Sequence, residues 1–342
     1  MKTAIFAEPG KMVIKEAAKP TLQADDDVII RVIRTCVCGS DLWAYSAGDQ
    51  KDNDSVNSGH EALGIVEEVG SAITTVKPGD FVIAPFTHGC GHCAACLAGY
   101  DGTCDERVLY DNWSEGYICF KHGNWALIKI PGQPEDYSEG MMKSFMTLAD
   151  VMATGYHAAR TAEVKHGDRV VVVGDGAVGQ CAVIAAKMMG ASQVVIMSRH
   201  EDRQKLAQEF GATAYVAERG DEGVKKVKEL LGGGADAALD CVGTEASINQ
   251  CLAVVYNGAH VSRIGVPHSN VDPFTLFAHN IAMAGGSASV TTYDKNVLLK
   301  AVLDGQINPG KVFIKTYTLD QINEAYRDMA DRKTIKSYIV IE

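Results

Sequence analysis

Between residues 90 and 104 the chain reads Cys90-Gly-His-Cys93-Ala-Ala-Cys96, then Cys104. The spacing Cys-x2-Cys-x2-Cys-x7-Cys lets the closely set thiolates wrap one face of a tetrahedral ion while Cys104 folds back to close it. Four sulfur ligands with no open position describe structural Zn²⁺, with an iron–sulfur centre as the rival. The loop is too polar and Gly-rich for a cluster of core thiols. His88 and His92 stand near enough to compete, although four thiolates already complete a shell. A second set, Cys38-Gly39-Ser40-Asp41 and Gly59-His60-Glu61, offers one thiolate and one imidazole. That is half of a catalytic zinc shell, which takes a third protein ligand and leaves a position for water or substrate.

A third pattern carries anion chemistry. Val170 to Val173 is an apolar run that leads into Gly174-Asp175-Gly176-Ala177-Val178-Gly179. Gly174 permits the tight turn and Gly176 lets backbone approach a pyrophosphate. Gly179 permits close helix-to-strand packing, and the helix opened by Ala177 and Val178 points its N-terminus at the anion. With a strand before it and a helix after it, this Gly-x-Gly-x-x-Gly is a dinucleotide fingerprint. At the end of the next strand, where NAD enzymes carry Asp or Glu, the chain has Met197-Ser198-Arg199-His200. A hydroxyl and a guanidinium there suit a 2′-phosphate, with Arg203 one helical turn on as a second clamp, so NADP(H) is preferred over NAD(H). Cys241-Val-Gly, Ile264-Gly265-Val266 and Gly285-Gly-Ser287 end later strands on the side where a dinucleotide crosses a sheet.

These residues need a scaffold in two parts. Up to about residue 130 the chain is rich in Val, Gly and turn signals, with β-rich runs at 28–33, 62–70 and 81–84, and reads as a β-barrel or folded sheet. From about 150 strands alternate with helices: strands at 169–173, 194–197, 237–241 and 260–265, helices at 177–189 and 201–210. Consecutive βα units imply a parallel sheet wrapped by helices. The strand-like 311–317 and 337–341 leave that rhythm and return to the first part.

Taken in this order, the Cys38 and His60 segments, the four-cysteine loop and the glycine fingerprint resemble the zinc-dependent medium-chain dehydrogenase/reductase, or alcohol dehydrogenase, family. The resemblance spans nearly the whole chain, including Val66-Glu-Glu-Val69-Gly70 and Lys77-Pro-Gly-Asp80. It implies a GroES-like β-barrel catalytic domain over 1–150 and 291–342, and a Rossmann doubly wound α/β cofactor domain over 151–290. It also implies Asp150 as the third zinc ligand, as in the bacterial secondary-alcohol, NADP-type branch. Zn²⁺ with the Cys38 thiolate, neutral His60 and the Asp150 carboxylate carries no net charge, yet can polarise a carbonyl oxygen or stabilise an alkoxide. By the same resemblance Asp41 orients His60, Glu61 is a carboxylate able to approach the metal, and Ser40 passes the alcohol proton onward. Thr154 lies near the nicotinamide, and Phe86, with Trp43, lines an apolar substrate pocket. Many relatives continue the proton relay with a His where this chain has Trp43.

Composition narrows the classes. The 342 residues carry a net charge of −11, 46% hydrophobic residues and 10 cysteines. The acidic balance argues against a nucleic-acid partner and against a zinc-ribbon module, because counterion displacement needs a basic face. No apolar run approaches the roughly 18 residues that cross a bilayer. Many thiols in a large chain fit a reducing compartment, and Met1 to Pro9 leaves no room for a signal-peptide core, so a soluble cytoplasmic protein is expected. The expectation is a zinc- and NADP(H)-dependent alcohol dehydrogenase with two zinc ions per chain. It would act on a small-molecule alcohol, aldehyde or ketone as a homo-oligomer, dimer or tetramer. An NAD-dependent polyol or threonine dehydrogenase and a non-catalytic dinucleotide sensor are the alternatives.

Overall fold

The computed structural model describes residues 1–47, 59–109 and 116–341. Residues 48–58, 110–115 and 342 fall inside the expected domain ranges but outside the described residues. The chain divides into two compact units, Met1–Asp150 with Ser289–Glu342, and Val151–Ala288.

The first unit opens with an antiparallel hairpin of β1 (Lys2–Glu8) and β2 (Lys11–Glu16). Then come β3 (Val28–Cys36), β4 (Ala62–Val69), β5 (Phe81–Ala84), β6 (Thr87–His88), β7 (Val108–Leu109), β8 (Tyr117–Phe120) and β9 (Ile128–Ile130). β3 is the hub. It pairs antiparallel with β4 along its length and with β8 over Val28 to Arg31. Register shifts at Ile29/Ile30 and Val32/Arg34 bend the β3–β4 pair, as bulges do, and fold the sheet on itself. Val28, Ile30, Val32, Val66, Val82 and Phe120 face inward as its core.

The second unit is a six-stranded parallel sheet of β10 (Arg169–Val173), β11 (Gln193–Met197), β12 (Ala214–Val216), β13 (Ala235–Asp240), β14 (Val255–Arg263) and β15 (Ala282–Gly285). Their spatial order is β12-β11-β10-β13-β14-β15, so the order reverses between β10 and β13. This is the doubly wound arrangement, the kind of sheet that binds ligands at such a switch point. The run Val170 to Val173 is wholly buried because helices cover both faces of a parallel strand. β14 begins earlier in the chain than the apolar run at 260 indicates, since Tyr256, Asn257 and Gly258 carry no hydrophobic pattern.

Back in the first unit, β16 (Phe313–Thr318) pairs parallel with β17 (Lys336–Val340), and β17 pairs antiparallel with β3. Pro309 holds the residues before β16 in a 3-10 turn, Pro309–Val312, so the strand starts later than 311. Tyr338 stands opposite Cys36, and the Val37 N–H donates to the Ser337 carbonyl at 3.0 Å. This register carries the side chain of Lys336 in beside the segment that holds Cys38.

Candidate metal centres and dinucleotide site

Cys90 follows β6, and Cys93 caps the single helical turn Ala94–Leu97, its sulfur accepting from the Cys96 N–H at 3.5 Å. The Cys104 sulfur accepts from the Glu106 N–H at 3.3 Å. Cys104 lies 3.7 Å from both Cys93 and Cys90, and all four sulfurs fall within 4.8 Å of one another. The Cys96 N–H pushes the Cys93 thiol down to about 7, while burial pushes Cys96 up to about 12. Four thiols this close repel one another once ionised, so the donor set fits a tetrahedral dication. His88 is turned away: it is buried, stacked on Phe120 and bonded to the Lys121 carbonyl at 2.6 Å. His92 and Glu106 reach Cys90 but stand exposed. A buried Lys295–Asp101 contact of 3.5 Å and a bond from Gly102 N–H to Ser289 Oγ of 3.0 Å moor the loop.

The second cluster gathers residues far apart in sequence. The Cys38 N–H donates to Asp41 Oδ2 at 2.8 Å, and Asp41 Oδ1 lies 3.1 Å from His60 Nδ1. His60 Nε2 faces Asp150 Oδ2 at 3.4 Å, and Cys38 Sγ approaches the same oxygen at 3.3 Å. Glu61 Oε1 is 3.9 Å from His60 Nε2. The donor atoms of Cys38, His60, Glu61 and Asp150 all fall within 4.8 Å.

The electrostatics of this cluster point one way. Burial raises the Cys38 thiol and the nearby Asp150 charge raises it further. Burial also raises Glu61, more than Lys336 lowers it. At His60 burial works downward, but Asp41 and Cys38 outweigh it and hold the imidazole well above its usual value. All three shifts thus run upward, as they do when anionic donors are crowded together. A dication satisfies all of them together, which is the chemistry this donor set fits.

Lys336, absent from the sequence reading, completes the arrangement. Its Nζ donates to Glu61 Oε1 at 2.6 Å and to the Val37 carbonyl at 3.2 Å. Glu61 Oε2 has no partner among the described residues. No motif marks Lys336, since only the β17–β3 register brings it here. Ser40 lies exposed on the turn before the helix Asp41–Ala47. Trp43 on that helix is 60% exposed, and the Phe86 ring stands 5.9 Å from that of His60.

In the second unit, Gly174 adopts φ +114°, which L side chains rarely adopt. A Cβ on Gly179 would sit 2.0 Å from the Gly174 carbonyl, so only glycine lets the helix Ala177–Met188 lie this close. A Cβ on Gly176 would meet nothing within 4 Å. Open space therefore lies beside this backbone, the room that a pyrophosphate at a helix N-terminus needs. Ala177 is buried and Val178 half-buried in the first helical turn. The Cys241 N–H closes onto the Val173 carbonyl, and the N–H groups of Ile264 and Gly265 close onto Asp240 O, so these segments end at the C-terminal edge of the sheet. Val266 and Ser287 are exposed at the same edge, and Thr154 is buried in the helix Val151–Thr161.

Two of the three members of the expected phosphate clamp are engaged by Asp175. Ser198 is fully buried and donates to Asp175 Oδ2 at 2.7 Å. Arg203 Nη1 pairs with Asp175 Oδ1 at 3.1 Å, and His200 Nδ1 lies 2.8 Å from Oδ2. Asp175 occupies a variable position of the fingerprint, and the sequence pattern gives no sign that its carboxylate would turn Ser198 and Arg203 inward. Of the three, Arg199 alone is exposed.

Comparison with known proteins agrees with this architecture. The Alcohol dehydrogenase GroES-like domain family matches residues 24–150, and the Zinc-binding dehydrogenase family matches residues 177–301. Zinc-type alcohol dehydrogenase B of Aspergillus flavus is 30% identical over 314 residues, spanning 88% of this chain and 68% of its own length. An alcohol dehydrogenase of Cupriavidus necator is 27% identical, spanning 97% of this chain and 96% of its own. The solved alcohol dehydrogenase TADH from Thermus sp. ATN1 superposes with a TM-score of 0.90 at 26% identity, covering 100% of both chains. Among the described residues no helix is long and apolar enough to cross a membrane. The chain belongs to the zinc-dependent medium-chain dehydrogenase family, as an oxidoreductase of the zinc-type alcohol dehydrogenase kind with a GroES-like domain and a Rossmann-like parallel-sheet domain.

Proposed function

We propose that the protein is a zinc-dependent, NADP(H)-using alcohol dehydrogenase that interconverts alcohols with aldehydes or ketones. The observation that carries this reading is the convergence of Cys38, His60 and Asp150 beside a carboxylate held by Lys336. The first unit is the catalytic domain and the second the dinucleotide domain. Cys90, Cys93, Cys96 and Cys104 hold a structural zinc, and Cys38, His60 and Asp150 hold a catalytic one.

Bound zinc supplies Lewis acidity toward a substrate oxygen, and bound nicotinamide supplies or accepts hydride. The chain's residues prepare for both. His60 Nδ1–H donates to Asp41 Oδ1, which fixes the tautomer and leaves Nε2 as a lone-pair donor. Lys336 balances the charge of Glu61. Ser40, exposed on its turn, moves the hydroxyl proton between substrate and solvent. With Trp43 in place of a relay histidine, water carries that proton onward. Trp43 and Phe86 give the substrate an apolar wall that excludes water.

Arg199 supports the 2′-phosphate reading. The ten cysteines, none of them in a disulfide, fit a reducing cytoplasm. A homodimer is supported by an edge of the second unit's sheet that pairs with no further strand among the described residues. β15 is the last strand of its sheet, and the helix Pro273–His279 next to it in sequence exposes Phe274 and Phe277, at 70% and 83%. A second copy adding its own β15 across a two-fold axis pairs the edge and covers the rings.

The test is a screen of the zinc-loaded protein that follows NADPH or NADH oxidation over aldehydes and ketones, and NADP⁺ or NAD⁺ reduction over alcohols, polyols and threonine. Turnover with NADPH preferred is expected. Turnover only with NAD⁺ on polyols or threonine replaces the cofactor and substrate reading, and no turnover in either direction overturns the enzyme reading in favour of a sensor.

A further inference from the structure

With Ser198 and Arg203 committed to Asp175, a 2′-phosphate is left with a single exposed guanidinium from the expected clamp. A second one stands beside it. β11 and β12 run parallel with Met197 opposite Val216, so the segments that follow them, 198–200 and 217–219, leave the sheet side by side. The Ser198 N–H donates to the Val216 carbonyl at 3.0 Å. Arg219 reaches back across this pair, its Nη2 donating to the Met197 carbonyl at 3.3 Å.

Neither Arg199 nor Arg219 has a carboxylate within ion-pair reach among the described residues. The neighbouring Glu218 is engaged by Lys226. Asp175, whose charge reaches Arg219, is occupied by Ser198, His200 and Arg203. Crowding by protein lowers the Arg219 guanidinium from its ordinary value first, and the Arg199 charge lowers it further, with Asp175 in opposition. Two like charges held together at the C-terminal edge of a dinucleotide-type sheet are relieved by an anion that both can bind.

We propose that Arg219 is the second specificity-determining cation of this enzyme, closing with Arg199 on the 2′-phosphate of NADP(H), and that Asp175 leaves this task to Arg219 by taking Arg203. The inference rests on the NADP(H) reading above. Guanidinium suits the task because its planar fork binds phosphate oxygens in pairs. Arg219 comes from the loop between β12 and the helix Gly220–Leu231, a stretch that the glycine fingerprint does not include.

The experiment is calorimetric titration of 2′,5′-ADP, with 5′-AMP as the control lacking the 2′-phosphate, into the wild type, Arg199→Gln, Arg219→Gln and Arg219→Lys. Arg219→Gln is expected to weaken 2′,5′-ADP by about tenfold or more, the loss of one charge-assisted contact, and to leave 5′-AMP within about twofold. Arg219→Lys should recover part of the loss. Arg219 is exposed, so these variants fold, which circular dichroism checks. If the wild type binds 2′,5′-ADP no more tightly than 5′-AMP, the NADP(H) reading falls and the inference with it. If the wild type and Arg199→Gln show the 2′-phosphate effect but Arg219→Gln keeps full affinity, the inference alone is overturned.

Discussion

Lys336 and Glu61 meet at 2.6 Å with side chains 1% and 0% exposed, one on the last described strand and the other at the head of β4. Such a pair gains its attraction only after both charges have left water, so it is poor evidence of stability for its own sake. Its place beside Cys38, His60 and Asp150 gives it another use. A thiolate and two carboxylates together carry one more negative charge than a dication neutralises, and the lysine supplies the difference.

Removing one partner should therefore cost more than removing both. Lys336→Met leaves a buried carboxylate without a counter-charge and is expected to lower unfolding stability by about 3–5 kcal/mol. The double variant Lys336→Met with Glu61→Gln should recover most of that loss. Urea unfolding of the four proteins in the cycle reads the coupling, and additive losses would show that the two charges do not depend on each other.

Metal content should separate the two cysteine sites. Plasma mass spectrometry of the wild type should find about two zinc ions per chain. Cys38→Ala should fall to about one and lose turnover while remaining folded, because the closed four-thiol loop is untouched. Cys96→Ser should also fall to about one and should lower the melting temperature more. Turnover that survives Cys38→Ala would refute the catalytic assignment.

Asp175 should give the protein an acid-sensitive contribution to stability. Burial alone would raise this carboxyl, but bonds from His200 and Ser198 and the Arg203 charge hold it below the ordinary 3.8. A carboxyl depressed on folding contributes fully above its unfolded value and loses that contribution as pH falls through the folded one. Asp175→Asn should thus cost on the order of 2 kcal/mol at neutral pH. The gap to wild type should begin to close below about pH 4. Unfolding curves at several pH values check it, and a gap that stays constant into strong acid contradicts it.

The exposed rings of the second unit should report on association. Phe277→Glu places a charge on the exposed helix that precedes β15 and should shift the protein from dimer toward monomer. Sedimentation velocity measures this, with circular dichroism to confirm the fold. A wild type that sediments as a monomer removes the case for this interface.

What the sequence disclosed is divided by how far each interaction reaches. The four-cysteine loop and the glycine fingerprint are local. Their chemistry is written in spacing, and Cys90 to Cys104 and Gly174 to Gly179 can be read without a fold. Cys38 and His60 were legible only as halves, because a lone thiol or imidazole has many uses. Asp150 came from the family resemblance, as nothing in its own surroundings marks a ligand. Lys336, Asp175 and Arg219 could not be seen at all. Lys336 depends on the pairing of β17 with β3, and Arg219 on the pairing of β11 with β12. Asp175 sits at a position the fingerprint leaves free, and its grip on Ser198 and Arg203 is a tertiary competition that residue type alone does not decide.

The strand β17 also sets a timetable. Glu61 and Cys38 leave the ribosome early, yet the cation that balances them arrives only when residue 336 has been delivered. The contiguous second unit, Val151–Ala288, is complete before that moment and can fold during synthesis. The cluster of Cys38, His60, Glu61 and Asp150 therefore gains its lysine late, around a nascent first unit that already holds its acids.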